Sequence, residues 1–112
     1  MEERKLITID DFQKIEIKLG TVLSAEIVDG ADKLYKLIVD FGEENPRQIL
    51  SGIREYMATE SLVGKQFPFV TNLEPRMLRG LESQGMILAG SSENKLALLQ
   101  PTEIMPNGTR LK

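Results

Sequence analysis

The stretch IEIKLGTVLSAEIVDGADKLYKLIVDF, residues 15–41, contains two runs in which apolar and polar side chains alternate. The first run continues to Val28 and is interrupted by Gly20, which predicts a bulge or a sharp bend at that position. A turn follows at Gly30, and the second run covers residues 35–41. Alternation with a period of two is typical of strands that are buried on one face. The stretch therefore predicts two consecutive strands joined by a turn.

Further strands and one interior helix are predicted downstream. The segment GEENP, residues 42–46, is a reversal, after which residues 47–53 return as a third strand. The most helix-like interior stretch is residues 54–63, and Gly64 is expected to end it. The remaining strand predictions are residues 65–70, where Pro68 indicates a partial edge position, residues 86–89 and residues 96–99.

Upstream, the chain opens with a charged segment and one short helix. Asp10 is a plausible N-cap because its carboxylate can accept hydrogen bonds from the amides of the first turn. We interpret residues 1–6 as a leader or as the remnant of a linker. The phenylalanines fall in apolar patterns and are predicted to lie in the core, namely Phe12, Phe41, Phe67 and Phe69.

Short strands, close turns and a single interior helix predict a mainly β domain. A five-stranded barrel of the oligonucleotide-binding (OB-fold) type, with its helix between the third and fourth strands, fits this order of elements. We expect one domain over residues 1–112, in which residues 100–112 form a C-terminal extension beyond the five strands.

The composition excludes several kinds of catalytic site. The 112 residues include no cysteine and no histidine, which removes thiolate catalysis, Ser-His-Asp hydrolysis and the commonest metal ligands. We therefore expect no enzymatic activity, no metal and no cofactor. No apolar run approaches the ~18 residues of a membrane-spanning helix, so we expect a cytoplasmic protein without membrane contact. The net charge of −3 argues against nucleic acid but leaves room for a one-sided basic cluster.

The segment NLEPRMLRGLESQGMIL, residues 72–88, carries the strongest chemical signal. Arg76 and Arg79 lie between Pro75 and Gly80, two residues that give a bent loop a defined shape. Arginine offers a planar fork that suits phosphate oxygens. The alternative is that both guanidiniums are solvated loop charges.

Several separate motifs place the chain in a known family. They are ADKLY (31–35), LSGI (50–53), VGK (63–65), NLEPRMLRG (72–80) and SQGMIL (83–88). In this order they resemble the tRNA-binding domain that is appended to many methionyl-tRNA synthetases. Similar domains occur as free-standing tRNA-binding proteins and in cytokine-like synthetase-associated factors. Many relatives have His-Pro before the ADKLY motif, where this chain has Asp29-Gly30, and this favours the methionyl-synthetase branch.

The resemblance implies a non-catalytic OB-fold module that binds the outer corner of the tRNA L through backbone and shape. The implied tRNA-binding residues are Lys33, Asn72, Arg76, Arg79, Ser83 and Met86. Three of them have structural alternatives: Asn72 as a turn cap, Ser83 as a partner of the backbone and Met86 as core.

The resemblance also implies a homodimer and a methionyl-tRNA synthetase catalytic domain as partner, in cis or in trans. Four apolar residues near the C-terminus are the predicted dimer contacts, namely Leu99, Ile104, Met105 and Leu111. The alternative is that this segment folds back on its own barrel. Three alternatives stay open: a peptide-binding chaperone of the secretion-associated type, which has the same fold, a free-standing tRNA-binding protein, and a purely structural dimeriser.

Overall fold

The structure, a computed structural model, describes residues 4–112. The first half of the predicted leader therefore lies outside the described residues. The strands are β1 (Ile17–Ile27), β2 (Tyr35–Asp40), β3 (Arg47–Ser51), β4 (Gln66–Val70), β5 (Arg76–Leu78), β6 (Leu81–Ser83), β7 (Met86–Ile87), β8 (Ala89–Ser92) and β9 (Lys95–Leu98). One α-helix, α1 (Ile9–Gln13), precedes them. No helix within residues 4–112 is long and apolar enough to cross a membrane.

Five of the strands form a nearly closed barrel, which confirms the predicted fold class. Their order in the sheet is β3-β2-β1-β4-β7, and all of the pairings are antiparallel. The two ends of the sheet approach each other where the Gln84 backbone N–H donates to the Gln48 carbonyl at 2.8 Å. Strand β6 also lies along β3 at this seam. The remaining strands form two small hairpins, β5-β6 and β8-β9.

The barrel interior is filled by apolar side chains from every strand of the main sheet. Phe41 and Phe69 meet edge to face, with ring centroids 5.3 Å apart, and Phe67 is also buried. The core prediction is confirmed for these three rings. Phe12 is only half-buried and lies at the surface beside the C-terminus, so its assignment to the core was wrong.

The C-terminal segment folds back on its own barrel, which the sequence left open as the alternative to a dimer contact, and the dimer contact itself stays a prediction. The Leu19 N–H donates to the Thr109 carbonyl at 2.9 Å, and the Leu111 N–H donates to the Ile17 carbonyl at 2.8 Å. The buried Gln66 side chain exchanges two further hydrogen bonds with the Met105 backbone. Residues 105–111 are therefore tied to the first strand and to β4.

The interior helix predicted over residues 54–63 does not form. A three-residue 3-10 helix at Thr59–Ser61 stands in its place. Tertiary hydrogen bonds override the helical propensity, because the Arg54 N–H donates to the Lys33 carbonyl at 3.3 Å and the Tyr35 hydroxyl donates to the Met57 carbonyl at 2.8 Å. Both bonds tie the segment to the barrel as a series of tight turns.

Two local predictions also need correction. Thr8, and not Asp10, is the N-cap of α1, where it forms a capping box with Asp11. The irregularity of β1 lies between Val22 and Ser24 rather than at Gly20. Gly20 instead makes room for two packed side chains, because a Cβ atom there would lie 2.6 Å from side-chain atoms of Phe41 and Val39.

The predicted edge position of Pro68 holds only in part. Strand β4 pairs with β1 along its whole length, and β7 pairs only with Phe69 and Val70. The Pro68 carbonyl accepts a hydrogen bond from the Leu88 N–H at 3.2 Å. Pro68 therefore lies just where the pairing with β7 ends.

Candidate nucleic-acid interface

Residues 76–83 fold as a β-hairpin, which is more regular than the bent loop predicted for them. Strands β5 and β6 are joined by Arg79 and Gly80, whose φ angles are 53° and 78°. Two-residue hairpin turns of the I′ type require positive φ at both positions. Glycine adopts this conformation readily, whereas a residue with a Cβ atom does so at a cost of about 1–2 kcal/mol. The backbone at Arg79 is therefore strained.

Apolar side chains on either side of this turn hold the hairpin against the barrel. Leu78 and Leu81 are half-buried and pack on a buried cluster of Val28, Ala31 and Leu50. Two members of that cluster belong to the connection between β1 and β2. Burial of these side chains thus brings the tip of the hairpin next to that connection.

The basic residues at the hairpin tip and in the β1-β2 connection therefore meet. Arg79 and Lys33 line one surface depression of about 260 Å³, together with Asp32. Arg79 also lines a neighbouring depression of about 270 Å³, together with Lys36 and Asp29. The arginine lies between the two depressions and contributes to both.

Arg54 belongs to the same group and was missed in the sequence. Its backbone N–H donates to the Lys33 carbonyl, and its guanidinium Nη1 donates to the Ala31 carbonyl at 3.4 Å. The signal available was its position directly after the LSGI motif. A pattern of strands and turns gave no indication that this residue folds back onto the β1-β2 connection.

Carboxylates reduce the positive charge of this surface. Four cations lie here (Lys33, Lys36, Arg54 and Arg79). Three acids accompany them: Asp29, Asp32 and Glu26, the last of which forms an ion pair with Lys36 at 3.2 Å. The local excess is one positive charge. Binding of a phosphate chain here would therefore depend more on the positions of the hydrogen-bond donors than on the net positive potential of the surface.

Arg76 lies at the opposite end of β5 from the hairpin tip. It is exposed and pairs with Ser83 across the hairpin. Residues in a strand advance about 3.3 Å each, so the Cα atoms of Arg76 and Arg79 are roughly 10 Å apart. The two arginines lie on one hairpin, but only Arg79 lines the depressions described above.

Asn72 is exposed, but its side chain is already used by the backbone. Its Oδ1 accepts from the Glu16 N–H at 2.8 Å, and its Nδ2 donates to the Lys14 carbonyl at 2.6 Å. These bonds join the segment after β4 to the connection between α1 and β1. The amide therefore acts as a clamp between two distant segments, and not as the local turn cap considered from the sequence.

Ser83 is buried and Met86 is exposed, although the resemblance implies that both bind tRNA. The Ser83 hydroxyl accepts from the Leu50 N–H at 3.0 Å and donates to the Gly85 carbonyl at 3.1 Å. This is the structural alternative considered for Ser83, a partner of the backbone, and a contact of Ser83 with RNA stays a prediction. Met86 lies in the short strand β7, opposite Val70.

Arg47 is a structural cation. Its guanidinium binds both carboxylate oxygens of Glu43 at 2.8 Å, donates to the Thr71 carbonyl at 2.6 Å and lies 5.5 Å from the centre of the Phe41 ring. Hydrogen bonding to Arg47 lowers the pKa of Glu43. A hydrogen bond from the Thr71 hydroxyl similarly lowers the pKa of Glu16. These partners occupy the Arg47 guanidinium within the fold.

The predicted dimer residues remain exposed although the C-terminal segment is tied to the barrel. Ile104 is 78% exposed, Leu99 is 53% exposed, and Met105 and Leu111 are exposed to smaller extents. Leu111 lines an apolar depression of about 360 Å³ between the two termini. The other apolar residues in its lining are Ile9, Phe12 and Ile15.

Comparison with known proteins places this arrangement in a family. The family model of the tRNA binding domain matches residues 17–110, which span the barrel, both hairpins and most of the C-terminal segment. The chain belongs to the tRNA-binding domain family. Membership in this family explains why the motifs at residues 31–35, 50–53 and 72–88 resemble those of tRNA-binding domains.

The curated relatives of this tRNA-binding domain are larger proteins. The chain is 51% identical to methionine–tRNA ligase 1 of Bacillus cereus over 106 residues, and 44% identical to the methionine–tRNA ligase of Caldanaerobacter subterraneus over 110 residues. These alignments cover 95% and 98% of the chain, but only 16% and 17% of the respective ligases. The chain therefore corresponds to about a sixth of each ligase.

Solved structures of similar size also match this tRNA-binding domain. A methionyl-tRNA synthetase-related protein from Pyrococcus horikoshii has a TM-score of 0.91 and 41% identity, covering 97% of this chain and all of that chain. The chaperone CsaA from Bacillus anthracis has a TM-score of 0.87 and 31% identity, covering 96% of this chain and all of that chain. The fold is thus shared by proteins of two different descriptions.

Proposed function

We propose that this chain is a non-catalytic tRNA-binding and dimerisation module that supports methionyl-tRNA synthetase in aminoacylation in the cytoplasm. The observation that carries the proposal is that Lys33 and Arg79 line one depression at the tip of the β5-β6 hairpin, with Arg54 hydrogen-bonded to the connection that carries Lys33. These residues come from three separate segments of the chain. The relation to methionine–tRNA ligases supports tRNA as the ligand.

Binding would follow the tRNA backbone and shape at the outer corner of the L. Lysine and arginine contacts to phosphates fix the position of a protein on RNA without reading the sequence. Turns that already hold these side chains reduce the ordering cost of binding. Arg76 and Met86, both exposed near the seam of the barrel, extend the proposed contact surface beyond the hairpin tip.

The module would act by raising the local concentration of tRNA at a catalytic domain, in cis or in trans. A dimer would present two such surfaces at once. For the dimer contact we propose the predicted residues Leu99, Ile104, Met105 and Leu111, together with the apolar depression beside Leu111. A self-complementary face of this kind buries apolar side chains that are exposed in the isolated chain.

The test is binding of purified tRNAs with different anticodons, measured at several salt concentrations. Affinity should be similar for all of them and should fall as salt rises, because phosphate contacts release counterions. Arg79→Ala should weaken every tRNA alike and lower the slope of log Kd against log salt by about 1. Lys65→Ala is the matched control, since it removes an exposed cation that lines neither depression beside Arg79. Loss of affinity for some tRNAs and not others would contradict binding by shape.

A peptide-binding chaperone is the second candidate, and the similarity to CsaA supports it. The apolar depression beside Leu111 would then hold an unfolded peptide instead of a second copy. Binding assays with both ligands separate the candidates: an unfolded peptide that binds while tRNA does not would favour the chaperone, and the reverse result would favour the tRNA-binding module. A dimer that binds neither ligand would identify a structural dimeriser.

A further inference from the structure

A cleft of about 650 Å³ lies between Tyr56 and the β8-β9 hairpin, and the tRNA-binding surface proposed above does not use it. Its hydrogen-bonding and charged lining residues are Ser91, Ser92, Asn94 and Lys95. Its size falls within the range of about 300–1,000 Å³ that is typical of small-ligand sites. The cleft therefore offers one aromatic ring, three neutral polar side chains and one cation.

Tyr56 is presented by a firmly held segment. Its backbone N–H and that of Met57 both donate to the Ile53 carbonyl at 3.0 Å, and Ile53 is buried. The Met57 carbonyl in turn accepts from the hydroxyl of buried Tyr35. The side chain of Tyr56 is nevertheless 48% exposed. An exposed ring on a fixed backbone can bind a flat partner at a low ordering cost.

Gly90 forms part of the opposite wall, and packing within the chain does not account for a glycine there. Its φ angle is not positive, and a Cβ atom at this position would meet only the Ala97 carbonyl oxygen, at 4.0 Å. Glycine inside a strand weakens the strand, and it often marks a place where a ligand approaches the backbone closely. Gly90 pairs with Ala97, another small residue, so this part of the wall is open.

The charges of the cleft favour an anionic partner. Within residues 4–112 no carboxylate lines it, although Glu55 and Glu93 are close in the sequence, and Lys95 supplies a cation. Both depressions beside Arg79, in contrast, contain an aspartate. Tyr56 follows Arg54 by two residues, so the cleft is joined through this short segment to the basic group near the hairpin tip.

We propose that this cleft binds one unpaired nucleotide of RNA, with the base on the Tyr56 ring and the phosphate near Lys95. Aromatic rings bind bases by stacking without strong sequence preference, and the serine and asparagine side chains can hydrogen-bond to ribose or base edges. The proposal rests on the tRNA-binding function in one respect, which is that the bound nucleotide belongs to a tRNA. It adds an aromatic contact to an interface otherwise built from cations.

Tyrosine fluorescence tests the site directly, because the chain has two tyrosines and no tryptophan. Tyr35 is buried with its hydroxyl bonded, so a base that stacks on the surface should quench mainly Tyr56. The probes are tRNA and a single-stranded RNA of four adenosines. Both should quench the emission of the intact chain, and Tyr56→Phe should remove the quenching.

Affinity measurements on two further variants complete the test. Tyr56→Ala should weaken tRNA binding about tenfold, within the range reported for loss of one stacked base. Gly90→Val should weaken it similarly without lowering the melting temperature, because the position has room in the folded chain. Wild-type affinity in both variants, together with a loss in Arg79→Ala, would overturn this proposal and leave tRNA binding intact.

Two other outcomes are informative. Quenching by the tetranucleotide without binding of tRNA would support the cleft and overturn the proposed tRNA function. Quenching by an apolar peptide and by neither RNA would overturn the nucleotide site.

Discussion

Arg79 and Lys33 line the same surface depression, although one belongs to the tip of a hairpin and the other to the connection between β1 and β2. No hydrogen bond or ion pair between their side chains accounts for the approach. Burial of Leu78 and Leu81 against the cluster below the β1-β2 connection brings the two turns together. The spacing of these two positive charges is thus a consequence of hydrophobic packing.

Replacing Arg79 by asparagine should stabilise the protein and weaken tRNA binding. Asparagine tolerates positive φ better than arginine and, when followed by glycine, is preferred in two-residue hairpin turns. Relief of the strain should raise the free energy of unfolding by about 0.5–1 kcal/mol, below the full penalty because asparagine also has a Cβ atom. Thermal unfolding and tRNA binding on the same samples measure both effects.

Arg79→Lys is the matched control for that variant. Lysine retains the positive charge and the backbone strain, but it lacks the planar fork of arginine. Stability should stay at the wild-type value, while tRNA affinity should fall between those of the wild type and Arg79→Asn. Equal tRNA affinity in all three proteins would show that the Arg79 side chain does not contact the ligand.

Replacing Ser83 by alanine should destabilise the fold. The Leu50 N–H and the Gly85 carbonyl would both lose a partner in the interior. An unsatisfied buried polar group costs about 1–3 kcal/mol. Denaturant unfolding should show this loss, while tRNA affinity measured well below the melting temperature should be unchanged. Reduced affinity in a fully folded variant would restore Ser83 to the contact surface.

The barrel strands were predictable because alternation of period two is strong in this sequence. The runs around β1 and β2 place one face in the core, and a shift of one residue would expose that face. The segment after β3 was not predictable in the same way. The sequence of this segment is typical of a helix, but hydrogen bonds to residues distant in the sequence determine its conformation. The Arg54 N–H donates to the Lys33 carbonyl, and the Tyr35 hydroxyl donates to the Met57 carbonyl.

The candidate site was less predictable than the fold. The motifs identified the positive side chains, but only the folded chain shows that Arg54 joins Lys33 and Arg79. Ser83 and Asn72 are polar residues within a binding motif, yet their hydrogen bonds stabilise the barrel. Sequence patterns do not distinguish a polar residue that serves the backbone from one that serves a ligand.

Stability should fall at low pH, in part through Glu43. Hydrogen bonding to Arg47 lowers its pKa in the folded protein from the ordinary value of 4.5. Glu43 therefore contributes stability above that pH, and the contribution is lost as the pH falls below it. Melting temperatures measured from about pH 6 to about pH 3 should drop less steeply in Glu43→Gln than in the wild type.

A control variant and a residual effect distinguish the contribution of Glu43 to acid sensitivity from those of other glutamates. Glu44→Gln is the control, since Glu44 is exposed and adjacent in the same turn. Some acid sensitivity should persist in Glu43→Gln, because the pKa of Glu16 is also lowered, mainly by Thr71. Identical pH profiles for wild type and Glu43→Gln would mean that the contact with Arg47 does not stabilise the fold.

The apolar face between the termini should determine the oligomeric state. Leu111→Asp replaces an apolar side chain by a charge in the depression lined by Ile9 and Ile15, so a dimer that uses this face should dissociate because a charge is costly to bury even beside Arg110 and Lys112. Light scattering at several protein concentrations measures the mass. Leu99→Asp tests the remaining part of the predicted contact, and Val63→Asp controls for adding a charge at another exposed apolar position. A dimer mass that persists in Leu111→Asp and disappears in Val63→Asp would move the interface to the surface around Val63.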